Sequence, residues 1–478
     1  MHENARSRVL AISGNSVSVG PPSLGSRGRL PKGQLRLRPV EEEVVTDSDL
    51  PARGAVFWPV GTGDSSTIVL DDEVVMQIDL HDLAMAQDDT TPHVPVVDRL
   101  VEALPTVDGE PYLAVFALTH ADKDHCLGFD DLRSRVRIGE LWATPRMWRE
   151  LADPDSPELC DDAKAFQEES ERRVSATKKA VDAGTEPVSG DRILVIGYDS
   201  DHDDHAYSEL PDKYLSGPGK SVSTLDEHDC SDRFETFFHA PFVDDCAAER
   251  NETSLAMQIT LTDDSGIDGK MLLFGDLAHD TIMKIFNYSV DHDRQEKVEW
   301  DLLLAPHHCS KKVMYVTVDG KDVRQDDVLD ALSANARHDD VVIVSSSDKF
   351  RAKDEPGMNP PHRKARDRYQ DIGEFICTMS WGSEDAPSPV VFGVDASGAR
   401  IVRESVSALA ASAGFAKADT LSSRRRLAAV TAAAVTVAQQ LPTAAVDSQP
   451  TGPERVQDAI TTDRGGADAP DTPVGFGR

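Results

Sequence analysis

Four side chains able to ligate a metal ion fall within six residues, His120-Ala121-Asp122-Lys123-Asp124-His125. Two imidazoles and two carboxylates suit a divalent cation of borderline or hard character. The cluster follows an apolar run, Tyr112 to Leu118, that reads as a buried strand. A strand ending in a tight turn delivers several ligands to one point. The plainer alternative is a solvated acidic loop with two incidental histidines. Against it, two later apolar runs end the same way, in Gly275-Asp276 and in Pro306-His307-His308-Cys309-Ser310. Loops at the C-terminal ends of strands in an open α/β sheet converge on one edge. His120, Asp122, Asp124, His125, Asp276 and either His307 or His308 are therefore candidate ligands although far apart in sequence. Two ions about 3.5–4 Å apart can hold both the attacking and the leaving oxygen of a displacement.

The elements needed to position these groups can be read along the chain. Ala55 to Val60 and Thr67 to Leu70 read as strands around the turn Gly61-Thr62-Gly63-Asp64-Ser65-Ser66, and Val74 to Asp79 as a third strand ending in an acid. Helical spacing appears in Val94 to Leu104 and in residues 157–183, and a strand is expected over Arg192 to Tyr198. Glu235 to Ala240, Ser254 to Leu261, Lys270 to Phe274, Trp300 to Ala305 and Val341 to Ser345 are further strands. Leu277 to Phe286, residues 324–337 and His362 to Phe375 read as helices. Pro389 to Val394 and Ala399 to Arg403 pair as a hairpin. This is an α/β layered pattern. Residues 199–232, with ten Asp/Glu against two Lys/Arg, read as an acidic surface excursion, mobile in part. His202 and His205 within it read as solvated.

Composition bounds the function. The chain has 478 residues and a net charge of −34, which disfavours coating nucleic acid by bulk electrostatics. It leaves room for an enzyme that grips a phosphodiester locally through metal ions. Six cysteines in a chain of this length are too sparse for a disulfide framework, so a reducing compartment is expected. Residues 1–40 lack the apolar core of a secretory signal, and no run reaches the length of a membrane span. A soluble, cytoplasmic protein with no membrane association is the expectation. Residues 1–50 read as a disordered basic arm, with seven Lys/Arg against one acid over the first 40 positions. The hydrolytic domain should span 51–405. Residues 406–478 read as an Ala-rich helix over 423–440 followed by disorder. Gly217-Pro218-Gly219-Lys220-Ser221 is not a phosphate-binding loop, because Tyr214 stands where its upstream glycine belongs.

Taken in order, these motifs resemble the metallo-β-lactamase superfamily, whose usual signature is His-x-His-x-Asp-His. Here the second histidine is Asp122. That variant is similar to the soluble metallo-hydrolase domain of the ComEC family of competence proteins. Val60-Gly61-Thr62-Gly63-Asp64-Ser65, Ile78-Asp79, Asn251-Glu252-Thr253-Ser254-Leu255, Leu272-Leu273-Phe274-Gly275-Asp276, Pro306-His307-His308-Cys309-Ser310 and Asn359-Pro360-Pro361-His362 resemble that family's successive motifs. The resemblance implies a four-layer αβ/βα sandwich, two mixed sheets face to face with helices outside. It implies one or two divalent ions, with Asp276 bridging. His120 and Asp122 would serve one ion, and Asp124, His125 and His307 the other. His308 would orient His307 or contact substrate. Asp122 hardens the site, so Mn²⁺ stands beside Zn²⁺. Cys126 and Cys309 are expected as packed thiols.

The expected activity is that of a phosphodiesterase or nuclease on nucleic acid or a nucleotide. Asp124 would orient a metal-activated hydroxide, and His308 or His362 would protonate the leaving oxygen. Hydrolysis of a carboxylic ester, lactone or amide is the alternative within the same chemistry. A metal-binding partner protein in a multi-component defence or regulatory system, using the acidic insertion or the tails, is the alternative outside it.

Overall fold

The computed structural model describes residues 50–403, apart from 89, 153–157, 198–205, 243–249 and 384–385. The basic arm, the Ala-rich segment, His202 and His205 lie outside the described residues.

The chain opens with three short strands, β1 (Gly54–Phe57), β2 (Ser66–Val69) and β3 (Val75–Ile78), then helix α1 (Val96–Ala103). A short β4 (Thr106–Val107) precedes β5 (Glu110–Ala117), the one-turn α2 (Lys123–Cys126), α3 (Phe129–Arg135) and β6 (Arg137–Ala143). Next come α4 (Arg146–Ala152), α5 (Asp161–Asp182), β7 (Arg192–Ile196) and β8 (Leu215–Ser216). These strands form a mixed sheet in the order β21-β20-β1-β2-β3-β5-β6-β7-β8, closed at one edge by the terminal hairpin β20 (Val390–Asp395) and β21 (Gly398–Ile401). The second mixed sheet runs β19-β18-β15-β14-β13-β12-β9. Its members are β9 (Ser221–Val222), β12 (Phe234–Ala240), β13 (Ala256–Thr262), β14 (Asp268–Leu273), β15 (Leu302–Leu304), β18 (Val342–Ser345) and β19 (Glu374–Cys377). Two small hairpins, β10 (Thr224–Leu225) with β11 (His228–Asp229) and β16 (Tyr315–Val318) with β17 (Lys321–Arg324), stand apart from both sheets.

Strand alternation explains the layering. In β14, β15 and β18, Met271, Leu273, Leu302, Leu304, Val342 and Val344 point into one core together with Ala55, Phe57, Ile68 and Met76 of the first sheet. The intervening Leu272, Leu303 and Ile343 point into a different core with Ile282 and Ile285 of α6 (His279–Asp291). The helices Asp326–Ala334 and Arg363–Tyr369 add Val328, Leu332, Ala365 and Tyr369 to that outer core. A third core holds α1, α3 and α5 against the far side of the first sheet through Leu100, Leu132 and Phe166. Strands apolar on both faces sit between two layers, and three apolar cores separate four layers. The expected αβ/βα sandwich is what the chain forms.

Two expectations are corrected. Residues 206–232 are not simply a surface excursion. β8 edges the first sheet and β9 the second, and Tyr207, Tyr214, Leu225 and Cys230 are buried. Irregularly spaced apolar anchors among acids leave no periodic signal, so composition alone hid them. The expected helix from His362 to Phe375 stops at Tyr369, and Glu374–Cys377 is strand β19, parallel to β18. Gly373 crosses directly over the backbone of Val341, where any Cβ would meet the Val341 carbonyl oxygen at 2.6 Å.

Candidate metal centre

All candidate groups lie at one edge, because β3 and β5 run parallel in one sheet and β14, β15 and β18 run parallel in the other. Asp79 follows β3, His120 to His125 follow β5, Asp276 follows β14, and His307 and His308 follow β15. Asp64 enters from the turn joining β1 and β2, where its backbone N–H donates to the Asp124 carbonyl at 3.0 Å.

Asp276 is the hub. Its Oδ1 lies 3.3 Å from His125 Nε2 and 3.4 Å from His308 Nε2. Its Oδ2 lies 3.7 Å from His307 Nε2 and 3.9 Å from His120 Nε2. Each carboxylate oxygen thus faces its own histidine pair. Around the Oδ1 side, Asp124 Oδ2 is 3.4 Å from His308 Nε2, and Asp64 Oδ1 is 3.4 Å from His308 Nδ1. Around the Oδ2 side, Asp122 Oδ2 is 3.5 Å from His120 Nε2. Asp64, His125, Asp276 and His308 each offer a ligand atom, all within 4.8 Å of one another.

The grouping differs from expectation at His307. The structure seats His308, not His307, beside His125 and Asp124, while His307 joins His120 and Asp122. The cause is local: His307, His308 and Cys309 have φ of 50°, 51° and 65°, a left-handed turn. That turn sends the two neighbouring rings to opposite sides of Asp276. Left-handed backbone at three consecutive non-glycine residues is strained, and such strain concentrates at functional sites.

Supporting groups fix the rings. His125 Nδ1 donates to Asp79 Oδ2 at 2.7 Å, and Asp79 also accepts from Thr119 N and Thr119 Oγ1, both at 2.7 Å. Asp79 itself has φ 54°, tolerable for aspartate. His308 Nδ1 faces the Ser346 carbonyl at 3.2 Å. Asp122 is shared: its Oδ1 accepts from Arg250 at 2.5 Å. Burial opposes ionisation of Asp122, but the interactions with His120 and Arg250 outweigh it and hold the carboxyl near 2.

The electrostatics suit a cation. Burial disfavours charge on Asp276, yet His308 and His125 keep its carboxyl well below the ordinary range. Burial also disfavours protonation of His125, but Asp276 and Asp79 raise it well above the ordinary histidine value, and Asp276 and Asp64 do the same for His308. Two such imidazoles have their Nε2 atoms 3.2 Å apart. His120 Nε2 and Asp276 Oδ1 are buried with no hydrogen-bond partner among the protein groups. Buried polar atoms are normally satisfied, so convergent orphaned donor atoms are what a metal ion fits.

The two other catalytic expectations resolve differently. Asp124 stays at the centre: burial opposes its ionisation, but His308 and His125 hold it well below the usual carboxylate range. His362 is instead a clasp. Its Nε2 donates to the Met358 carbonyl at 3.0 Å and its Nδ1 accepts from Lys311 N–H at 3.3 Å. With both nitrogens engaged, it ties the β15 loop to the N-terminus of the helix Arg363–Tyr369.

Among the residues given no role from sequence are Asp64, Asp79, Arg250 and His81. The tight Gly61-x-Gly63 turn was the signal for Asp64. Nothing flagged His81, which is 8% exposed with Nδ1 unpartnered. Its ring lies against Gly63, where a Cβ would stand 2.1 Å from that nitrogen. Cys309 packs in the outer core, and Cys126 in the core beneath α5, so neither faces the ligands.

No family model and no curated protein matches this chain. Solved structures do. One is the metallo-β-lactamase SMB-1, at 10% identity over 55% of this chain and 81% of that one, with a TM-score of 0.29. Another is an archaeal metallo-β-lactamase superfamily protein from Sulfolobus tokodaii, at 10% identity over 68% and 97%, TM-score 0.25. A diphosphatase of the PhnP family matches at 10% identity over 64% and 94%, TM-score 0.26. The TM-scores are low, and none of these likenesses assigns a ligand or a substrate to this chain.

Proposed function

We propose that this chain is a metal-dependent hydrolase acting on phosphodiesters of nucleic acid or nucleotides. The observation that carries the proposal is Asp276, each of whose oxygens faces a separate histidine pair. Asp64, Asp124, His125 and His308 would hold one divalent ion, Asp122, His120 and His307 a second, with Asp276 shared. Four carboxylates against four imidazoles make a set that accepts Mn²⁺ as well as Zn²⁺. Bound there, such ions supply Lewis acidity: they acidify water and offset charge on a phosphoryl group.

The chain's own residues do the rest. Asp79 and the Ser346 carbonyl fix which nitrogen of His125 and His308 faces the centre. Ionised Asp124 would accept a proton from the attacking water. His81 packs beside this half of the site, its Nδ1 buried with no hydrogen-bond partner among the protein groups.

Metal content and phosphodiester cleavage, measured with Mn²⁺ or Zn²⁺ for the wild type and Asp276→Ala, test the reading. Asp276→Ala should lose bound metal and at least about a hundredfold in rate, as removal of charge-stabilising groups does. Equal activity in the variant would refute it. So would a metal-loaded wild type that cleaves carboxylic esters, lactones or amides but no phosphodiester.

A further inference from the structure

Two cysteines meet just behind the metal centre. Cys126 is the last residue of α2, immediately after His125, and is fully buried. Cys160 is the N-cap of the 22-residue helix α5 and is partly exposed. Their sulfurs are 3.4 Å apart. Cys126 Sγ also lies 3.3 Å from the Asp122 carbonyl, to which it donates. None of this enters the hydrolytic chemistry.

We propose that Cys126 and Cys160 form a reversible disulfide that couples thiol oxidation to the grip of the metal centre. The modification itself does not rest on the function proposed above; the coupling requires only that the centre binds metal.

The arrangement has the parts of an oxidation site. Reactive cysteines are accessible, have thiolate character and stand beside a resolving thiol. Cys160 is the accessible member, at a helix N-terminus, where free N–H groups favour an anion. The contact with Cys126, helped by the N–H groups of Ala163 and Asp162, draws its thiol down to about 6 against the opposing effect of burial. Cys126 is the shielded resolving partner.

With glutathione disulfide as oxidant, the Cys160 thiolate attacks one glutathione sulfur, the glutathione S–S bond breaks, and one glutathione thiolate leaves. Cys126 then attacks the Cys160 sulfur of the mixed disulfide, the Cys160–glutathione S–S bond breaks, and the Cys126 proton leaves with the departing glutathione thiolate as the second glutathione. Two protein thiols are oxidised to one disulfide, and one glutathione disulfide is reduced to two glutathiones.

Coupling follows from position. A disulfide needs its sulfurs about 2.05 Å apart, so those of Cys126 and Cys160 must close from 3.4 Å. Cys126 thereby gives up its S–H bond to Asp122 and draws α2 toward α5. That one turn carries Asp124 and His125, and its N-cap is Asp122. All three are in the candidate ligand set.

The full chain is incubated in glutathione buffers from reducing to oxidising, alkylated, digested and mapped by mass spectrometry. Zn²⁺ affinity is measured on the same samples by chelator competition. The expected result is a Cys126–Cys160 link that forms as the buffer becomes oxidising, is reversed by dithiothreitol, and weakens Zn²⁺ binding about tenfold or more. Cys160→Ser should keep reduced-form affinity throughout. Full alkylation of both thiols in the oxidising buffer would overturn the site. A link that leaves Zn²⁺ affinity unchanged would overturn the coupling. Should Cys160→Ser not fold, the mapping and affinity on the wild type decide both points.

Discussion

The hydrogen bond from His125 Nδ1 to Asp79 determines which nitrogen of His125 faces Asp276. Asp79 accepts three hydrogen bonds with two carboxylate oxygens. An asparagine has one acceptor oxygen, and its NH₂ would meet a donor, either His125 or Thr119. Leaving a buried donor unpaired costs about 1–3 kcal/mol, and loss of a group that orients a metal-ligating histidine costs about 10- to 100-fold in metal affinity. Asp79→Asn should therefore bind Zn²⁺ or Mn²⁺ about 10- to 100-fold more weakly while remaining folded. Chelator competition with circular dichroism checks this. Wild-type affinity in a folded variant would show that Asp79 does not orient His125 for metal.

At the scale of elements, strand β12 carries a buried histidine, His239, beside Lys297. His239 Nε2 donates to the Lys297 carbonyl at 2.8 Å. Burial lowers its pKa from 6.5 to about 4, partly offset by that bond. The unfolded chain takes up the proton first as pH falls. This histidine's contribution is therefore complete above 6.5 and is lost between 6.5 and about 4. The shift corresponds to about 3 kcal/mol at the acid end. His239→Gln keeps a side-chain N–H donor and does not titrate. Its stability deficit relative to wild type, measured by urea unfolding, should shrink as pH falls from 7 to 4, and a constant deficit would contradict the assignment. Elements like β12 were legible in the sequence because alternating or wholly apolar runs mark strands. So were the strand-end candidates His120, His125 and Asp276. Three things were not. β19 was hidden because Ile372 and Phe375 continue the apolar spacing of the preceding helix, while the Gly373 crossing that ends it is tertiary. The His307/His308 partition depends on φ signs that residue types do not encode. The clasp role of His362 depends on partners at Met358 and Lys311, which only the folded loops bring together.

At the scale of the molecule, the net charge of −34 is unevenly placed. The segments following β15 and β18, residues 306–312 and 346–366, the latter running into the helix Arg363–Tyr369, hold eight Lys/Arg against three Asp/Glu, a local balance of +5 in an acidic chain. Both flank the centre: His308 faces Ser346, and Ser346 Oγ donates to the Gly63 carbonyl at 2.5 Å, beside Asp64. Lys311 and Lys364 are spent on Asp322. Lys312 and Arg351 are exposed, one just past the His307–Ser310 turn and the other in the β18 loop. A polyanionic substrate reaching the centre would cross this rim rather than the acidic loop that follows β3, with Asp82 and Asp88. Each phosphate contact releases condensed counterions, so binding of a single-stranded oligonucleotide weakens with salt by a slope of about 0.7 per contact. Lys312→Glu with Arg351→Glu should raise KM for an oligonucleotide about tenfold and flatten its salt dependence. Its kcat, and hydrolysis of a small chromogenic phosphodiester, should stay near wild type. If both substrates respond equally, the rim acts on the fold or the metal. If neither responds, the oligonucleotide arrives by another face, and the acidic bulk of the chain then restricts the substrate to small nucleotides, which need no such path.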